Sequence, residues 1–407
     1  MILSQFFDAI RRPQATAQVA YYPEVISSSG YTTTSGQTVN QETSQQVATV
    51  FRCGNIISDD IAKMPLQLFV KLPKGRIERV QPNGLTRNLS YLVEIKPNRW
   101  QIPFVWKKTL IKWLLYWGNG YIWQPPRMRE LFILPSSRTW PDYNENGDLI
   151  YRYFPALPET KAEPSREIPA VEVLHLLINS QDGITGRGVI EFARESIGDQ
   201  LGAYEVRGQL FAQGLATNGI IWAAGDLNQD ARDKVRTSYM NAITGSGNAG
   251  GVAVFDSKIA KFEPVTMKLV DAQFLEQINA TDADIANFFG MPLYKLNQGK
   301  QSYQSNEQQN LDYLKTTLDP YLVQFEQAAA DKWLTVAEQS NMYFRFVRDA
   351  LLRTDAATRG DYLQQKVLSG QLTPNEARNI DDMSAYDGGD NYYMPVNVQA
   401  VTPAGGE

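Results

Sequence analysis

The hydrophobic pattern changes period several times along the chain, and these changes divide it. Val47, Val50, Ile57, Ile61 and Met64 recur at helical spacing up to Pro65, behind Thr43 and Gln46, which are spaced for a capping box. LQLFV (66–70) and ERV (78–80) flank a Pro73/Gly75 turn and predict a hairpin. A second helix is predicted over about 103–117, stopped by Gly118. YIWQ, LFILP and LIYRYF follow as short strands broken by Pro, Asn and Gly, and VEVLHLLI (171–178) reads as a buried strand. The stretch 47–180 is therefore a mixed α+β unit.

Beyond Gly188 the period becomes helical. Val189, Phe192, Ala193, Ile197, Leu201, Tyr204 and Phe211 predict one long helix reaching Gly214, roughly 40 Å in length. Residues 215–269 form an insert: the strand GIIWAA, a helix capped by Asn228, then the strands GVAVF and KFEPV. Asp271 caps a further helix carrying Phe274, Ile278, Ile285 and Phe288, which Gly290 and Pro292 terminate. After a polar stretch at 294–310, Ser305 with Gln308 starts a helix bearing Leu311, Leu314 and Leu318, and Pro320 should kink or restart it. Leu322, Phe325, Ala329 and Trp333 continue its apolar face, and MYFRFV (342–347) returns as a strand. Thr373-Pro374-Asn375-Glu376 combines an N-cap, a proline at the first helical position and a capping-box glutamate. Residues 25–46 are Ser, Thr, Gly and Gln rich and predict an arm, and the stretch from Asp387 predicts a tail.

Composition narrows the chemistry. Of 407 residues, 43% are apolar and 20% charged, which suits a folded chain of two or three regions. No apolar run approaches the length of a membrane span, and the start lacks the order of a signal peptide, so a cytoplasmic site of synthesis is expected. The single cysteine, Cys53, excludes an internal disulfide, and the single histidine, His175, leaves too few soft ligands for a conventional zinc site. Both are expected to be packed structural residues. The net charge of −5 argues against a duplex-gripping protein, since that affinity comes from Lys and Arg neutralising phosphates. It does not argue against weaker contact with DNA.

Catalytic parts are wanting. Gly245-Ser-Gly247-Asn-Ala-Gly250 matches GxGxxG, but a helix precedes it and a strand follows, the reverse of what places a pyrophosphate on a helix N-terminus. A plain glycine-rich loop is the stronger reading. There is no GxxxxGK[ST] and no GxSxG, and the pairs Asp59/Asp60 and Asp381/Asp382 are adjacent in sequence, a poor spacing for joint acid–base work. No enzyme activity and no cofactor are expected. The polar stretch 294–310 carries Lys295 and Lys300 among Asn, Gln and Ser. Its composition alone favours an ordinary surface crossover over a contact site and leaves both open.

Several segments resemble, in order and spacing, the portal proteins of long-tailed bacteriophages. FRCGNIISDDIAKMPLQLFV (51–70) is similar to that family's N-terminal helix and first strand, and KPNRW (96–100) with GNGYIW (118–123) to the paired motifs that follow. IANFFGMPLYKLNQ…YQSNEQQNLDYLKTTLDPYLVQFEQ (285–327) resembles its helix, tunnel loop and kinked helix, while GQLTPNEARNIDDM and DGGDNYYMP are similar to its closing motifs. Two departures stand out: Arg187-Gly188 replaces a Ser-Pro-like pair at the start of the long helix, and the C-terminal region is short for the family.

The resemblance implies an α+β portal fold assembled as a homo-dodecameric ring at one capsid vertex of the virion, built in the host cytoplasm. It implies a wing at 47–187 after an N-terminal arm at 1–46, a stem helix at 188–214, a clip at 215–269 and a second stem helix at 270–290. A tunnel loop at 291–304, a kinked tunnel helix with the returning wing strand at 305–350, a helical crown at 351–386 and a tail at 387–407 complete the map. Lys295, Asn297, Gln298, Lys300 and Gln301 would face DNA. Ile197, Leu201, Tyr204, Phe274 and Ile278 would lie on the stem, and Pro320 at the kink. The implied partners are further copies of the chain, double-stranded DNA without sequence preference, the large terminase subunit, the major capsid protein and the head–tail adaptor, with no membrane.

Overall fold

The computed structural model describes residues 30–73, 76–126, 128–155, 165–212, 218–223, 228–234, 237, 259–265, 281–297, 306–348, 356–380 and 383–393. Helix α1 (Ala48–Lys63) lies against α3 (Pro103–Trp117), and a short α2 (Leu89–Glu94) stands between them in sequence. Each buries the face its spacing predicts: Val50, Ile57 and Ile61 on α1, and Trp106, Leu110 and Leu114 on α3 are wholly enclosed. α3 begins with Pro103 in its first turn and ends at Gly118, whose φ of 83° provides the left-handed cap.

Three antiparallel sheets of three strands surround this pair. β3 (Leu66–Lys71) is central between β4 (Ile77–Arg79) and the late strand β13 (Met342–Phe346). β5 (Asn119–Trp123) is central between β6 (Phe132–Leu134) and β10 (Val173–Leu177). β7 (Thr139–Tyr143), β8 (Leu149–Tyr153) and β9 (Arg166–Pro169) form the third, over a small separate cluster of Tyr121, Leu134, Tyr151, Ile168 and Val173. β7, β9 and α2 are not foreseen in the hydrophobic pattern: β7 contains Pro141 and Asp142, β9 ends on a proline, and α2 is too short to show a period. His175 lies on β10, where its ring stacks on Tyr121 at 4.5 Å between the Tyr151 hydroxyl, 3.2 Å from Nδ1, and Asn119 Oδ1, 2.9 Å from Nε2. Burial drops its pKa to about 3, so the neutral ring uses one nitrogen to donate and the other to accept. Cys53 is fully buried and its thiol is pushed up to about 12, an inert filler.

The long helix α4 (Val189–Ala212) starts where two backbones cross. A Cβ on Gly188 would fall on the carbonyl oxygen of Tyr116, and one on Gly186 on that of Gly118. Asn119 completes the crossing, its side chain accepting from Gly186 N at 2.8 Å and donating to Gly186 O at 2.9 Å. Arg187-Gly188 therefore opens the helix through close approach, with Arg187 paired to Glu191 at 2.5 Å and lying over the Phe192 ring at 4.8 Å. α4 has 24 residues and extends about 36 Å. Phe192, expected on the apolar face, is exposed, and Ile190 takes its place beside Val189, Ala193 and Ile197. Leu201 and Tyr204 are half-buried, and Phe211 is among residues whose side chains are not described.

The insert contains β11 (Asn218–Ala223) and β12 (Ile259–Val265), paired antiparallel, and a helical segment at 229–234 opened by Asn228, whose side chain accepts from Ala231 N at 2.9 Å. The glycines at 245–250, the strand GVAVF, Phe274 and Ile278 lie outside the described residues. Helix α5 (281–288) carries Ile285 and Ala286 into the core, and Phe289 rather than the expected Phe288 is buried, because the chain turns at Gly290 with φ 62°.

Residues 30–46 do not form the arm that their composition predicts. Strands β1 (Tyr31–Thr32) and β2 (Thr38–Val39) pair as a hairpin against α4. Glu195 accepts from Thr34 N at 3.1 Å and Thr34 Oγ1 at 2.9 Å, Gln37 donates to Glu205 at 2.7 Å, and the Arg194 guanidinium covers the Tyr31 ring at 3.9 Å. The capping box at Thr43 also gives way. Asn40 Oδ1 accepts from Glu42 N and Thr43 N, each at 2.8 Å, and the chain makes a tight turn over Thr43–Gln46 before α1 begins at Ala48 without a side-chain cap.

At the far end, α9 (Ala356–Leu368) and α10 (Pro374–Ile380) pack together, and the predicted capping box of α10 is present, Thr373 N donating to Glu376 at 2.8 Å and Glu376 N to Thr373 at 3.2 Å. Residues 387–393, expected as the start of a tail, are bound in part: Asn375 donates to Asp390 at 2.8 Å and to Tyr386 O at 3.1 Å, and its backbone N–H reaches Gly389 O at 2.9 Å.

Candidate functional site

The polar stretch singled out in the sequence connects α5 to α6 (Asn306–Tyr313), and both of its ends are pinned. After Gly290 and Pro292 a tight turn covers Leu293–Leu296, in which Leu296 is buried, and Asn297 follows with φ 58°, a left-handed conformation that asparagine tolerates. The Tyr294 hydroxyl donates to Gln309 O across the loop base at 2.7 Å. Thr317 Oγ1 donates to Gly290 O at 2.6 Å, and Arg52 on α1 donates to Lys295 O at 3.1 Å. Residues 298–305, including Gln298, Lys300 and Gln301, lie outside the described residues.

Lys295 is half-buried, with its ammonium 4.7 Å from the centre of the Tyr313 ring and 5.9 Å from that of Tyr294. Burial lowers its pKa, opposed by Asp60, while nearby Lys63 adds to the lowering. Tyr294 is pushed up to about 12, first by burial and then by Asp312 and Asp60. Lys295 thus closes the loop base as a cation on an aromatic floor, and Asn297 is the exposed residue at the point where the chain leaves it.

The helix beyond the loop changes its winding at Pro320. Lacking an N–H, Pro320 cannot bond the Thr316 carbonyl, and the helix widens into a π turn over Leu314–Leu318 before α7 (Asp319–Trp333) begins with the proline in its first turn. Arg348 fixes this restart, reaching Asp319 at 2.6 Å and Glu326 at 2.8 Å. α7 then lays Phe325 beside Trp106 and Phe346 at ring distances of 6.2 and 5.6 Å. Helix α5 is tied back as well: Asp282 accepts from Thr49 of α1 and, at 3.3 Å, from Gln200 of α4. Ile197, expected on the stem, is wholly buried, so the first half of α4 belongs to the same core as the loop base. The Tyr294–Gln309 clamp and the Asp282 junction are not legible in the pattern, because each joins residues far apart in sequence through one polar atom.

Among the described residues no cluster of His, Cys, Asp and Glu is arranged to hold a metal, and no helix is long and apolar enough to cross a membrane. A cavity of about 200 Å³ lies between His175, Tyr151 and the end of α7 at Ala328, Asp331 and Lys332, ahead of α8 (Val336–Gln339), but its imidazole and phenol already hydrogen-bond each other.

The fold and this loop base define a structural scaffold of α+β class that presents a polar loop from a fixed platform. The phage portal protein family matches residues 48–382, and the chain belongs to that family, a structural and non-enzymatic head–tail connector of bacteriophage virions. It is 25% identical over 376 residues to the portal protein of Enterobacteria phage HK97, covering 90% of this chain and 86% of the relative. It is 27% identical over 404 residues to the probable portal protein of Streptomyces phage phiC31, covering 95% and 86%. A solved neck of a native gene transfer agent particle, computed with C12 symmetry, shares the fold at a TM-score of 0.54 and 20% identity, covering 85% of this chain and 92% of that one.

Proposed function

We propose that twelve copies of this chain close into a ring at one capsid vertex and form the channel through which DNA is packaged and ejected. The observation that carries this reading is the pinned loop base: Tyr294 clamped to Gln309, Thr317 to Gly290 and Lys295 on Tyr313 hold the ends of a polar loop. Repeated by heterologous closure, such a loop becomes a collar. Amides and hydroxyls hold phosphates weakly, and the net charge of −5 limits counterion release, so DNA is centred without being gripped. The fold shared with a C12 neck supports the subunit number.

In this reading Asn297, Gln298, Lys300 and Gln301 meet DNA, with Lys295 bracing them from below. The second half of α4, with Leu201 and Tyr204, and the helix bearing Phe274 and Ile278 form the stem. The insert 215–269 docks first the large terminase subunit and then the head–tail adaptor, α9 and α10 form the crown, and the wing meets the major capsid protein. Lys300→Glu is expected to leave rings intact in negative-stain images while changing the length of DNA retained in particles. Rings that fail to form would make Lys300 an interface residue and overturn the loop's assignment to the channel.

A further inference from the structure

The segment 95–105 exposes an apolar face that the fold leaves uncovered. Trp100 is 75% exposed, Ile102 59%, Ile95 53%, Val105 44% and Phe104 37%. Isolated apolar residues on a surface need no explanation, but a contiguous set around a tryptophan marks an interaction site. The face is also rigid. Asn98 is fully buried, accepts from Trp100 N at 3.0 Å and Gln101 N at 2.9 Å, and donates to Leu131 O at 2.9 Å. Glu130 accepts from Arg99 N at 3.1 Å and pairs with its guanidinium at 3.0 Å. Every atom that orders the turn is therefore engaged, and the Trp100 ring, leaning on Phe132 at 5.4 Å, projects from a platform that needs no rearrangement to bind.

The charge around it names the partner. Residues 95–112 carry Lys96, Arg99, Lys107, Lys108 and Lys112 and no carboxylate, in a chain whose net charge is −5. Lys107 is buried, Arg99 pairs with Glu130, Lys108 pairs with Asp59 at 2.6 Å and Lys112 lies over the Phe51 ring of α1, so the exposed charge beside the face is Lys96. The same chain offers a counter-surface on a sheet edge elsewhere: the β7–β8 turn displays Glu145 and Asp148 beside Tyr143, which is 46% exposed. That turn is fixed as well, Asn144 N donating to Asp148 O at 3.0 Å and Asn144 Oδ1 accepting from Asp148 N at 2.8 Å.

We infer that the Trp100 face is the contact through which each copy of this chain docks on the acidic β7–β8 hairpin of the next. A basic aromatic face and an acidic aromatic turn on one molecule make a head-to-tail pair, the arrangement that closes rings. Aliphatic Ile95, Ile102 and Val105 contribute nothing to a phosphate backbone, which favours protein over nucleic acid as the occupant. The inference rests on the ring reading above.

The test uses the full chain, with mass measured against concentration. Trp100→Ala is expected to raise the midpoint concentration of assembly by at least about thirtyfold, the loss of one central aromatic anchor, with the thermal midpoint of the subunit unchanged. Lys96→Glu should weaken assembly and Glu145→Lys in the same chain should restore it. A photo-crosslinker, Trp100→p-benzoylphenylalanine, should join neighbouring copies at the hairpin 142–148. A wild-type chain that never forms a closed assembly overturns the ring reading itself. A wild-type ring that is indifferent to Trp100→Ala, or whose crosslinks from position 100 run to DNA or to nothing, overturns this contact and leaves the ring standing.

Discussion

Helix α1 and the hairpin at 30–46 pack against the same body and are held by opposite means. α1 buries Val50, Cys53, Ile57 and Ile61 completely, and its stability is the removal of hydrocarbon from water. The hairpin contributes Val39 to the core but is otherwise fastened by hydroxyls, amides and the carboxylates of α4, most of them open to solvent. One region is held by buried hydrocarbon, the other chiefly by polar contacts with α4. Hydrophobic periodicity predicts the first, whereas the composition of 30–46, which predicts an arm, misses the second.

That contrast can be broken from the α1 side. Ile57→Ala is expected to cost about 2–5 kcal/mol of global stability, measured by urea unfolding, because the surrounding helices cannot close the cavity. A loss below about 1 kcal/mol would mean that α1 is no more a part of the core than the hairpin is.

Lys107 sharpens the contrast by titration. Its ammonium is buried, donates to Met64 O at the end of α1, and burial lowers its pKa to about 8 from 10.5, against the pull of Glu94. Between those two pH values the unfolded chain holds a proton that the folded chain has released. Stability from this group is therefore flat below pH 8 and rises with pH up to 10.5, by on the order of 3 kcal/mol. Denaturation midpoints from pH 7 to 10 should climb in the wild type more steeply than in Lys107→Met, and parallel curves would remove Lys107 from the account.

The smallest effect on global stability is expected at the hairpin. A Cβ on Gly198 of α4 would fall on the Thr33 side chain. Gly198→Ala should lift the hairpin locally, accelerating protease cleavage within 30–46 by about tenfold while the global midpoint stays within about 0.5 kcal/mol. Equal shifts in both measurements would show that the hairpin unfolds with the core.

The legible parts of the sequence are those in which one periodic face meets one core. α1, α3, the β3–β4 hairpin and the return of β13 are of this kind, and each stands where the pattern predicts it; the capping box of α10 is legible for a different reason, its local Thr-Pro-Asn-Glu spacing. The misread parts are held by single polar atoms. Asn40 displaces the expected cap at Thr43, and Asn375 secures a stretch expected to be loose. The motifs KPNRW and GNGYIW carry the family resemblance, and in the structure the buried Asn98 and the half-buried Asn119 organise their turns. At the candidate site, polarity identified the loop between α5 and α6. Its clamp remained hidden, since Tyr294 gives no sign in sequence that its hydroxyl reaches a carbonyl at Gln309.

That clamp makes the residues between it an exchangeable cassette. With the base closed by Tyr294 and Gln309, an insertion or deletion in the intervening stretch is expected to leave both helices undisturbed. Each doubling of its length adds only about 0.6 kcal/mol of closure entropy. Grafting of a designed sequence is thereby confined to one short stretch of the gene.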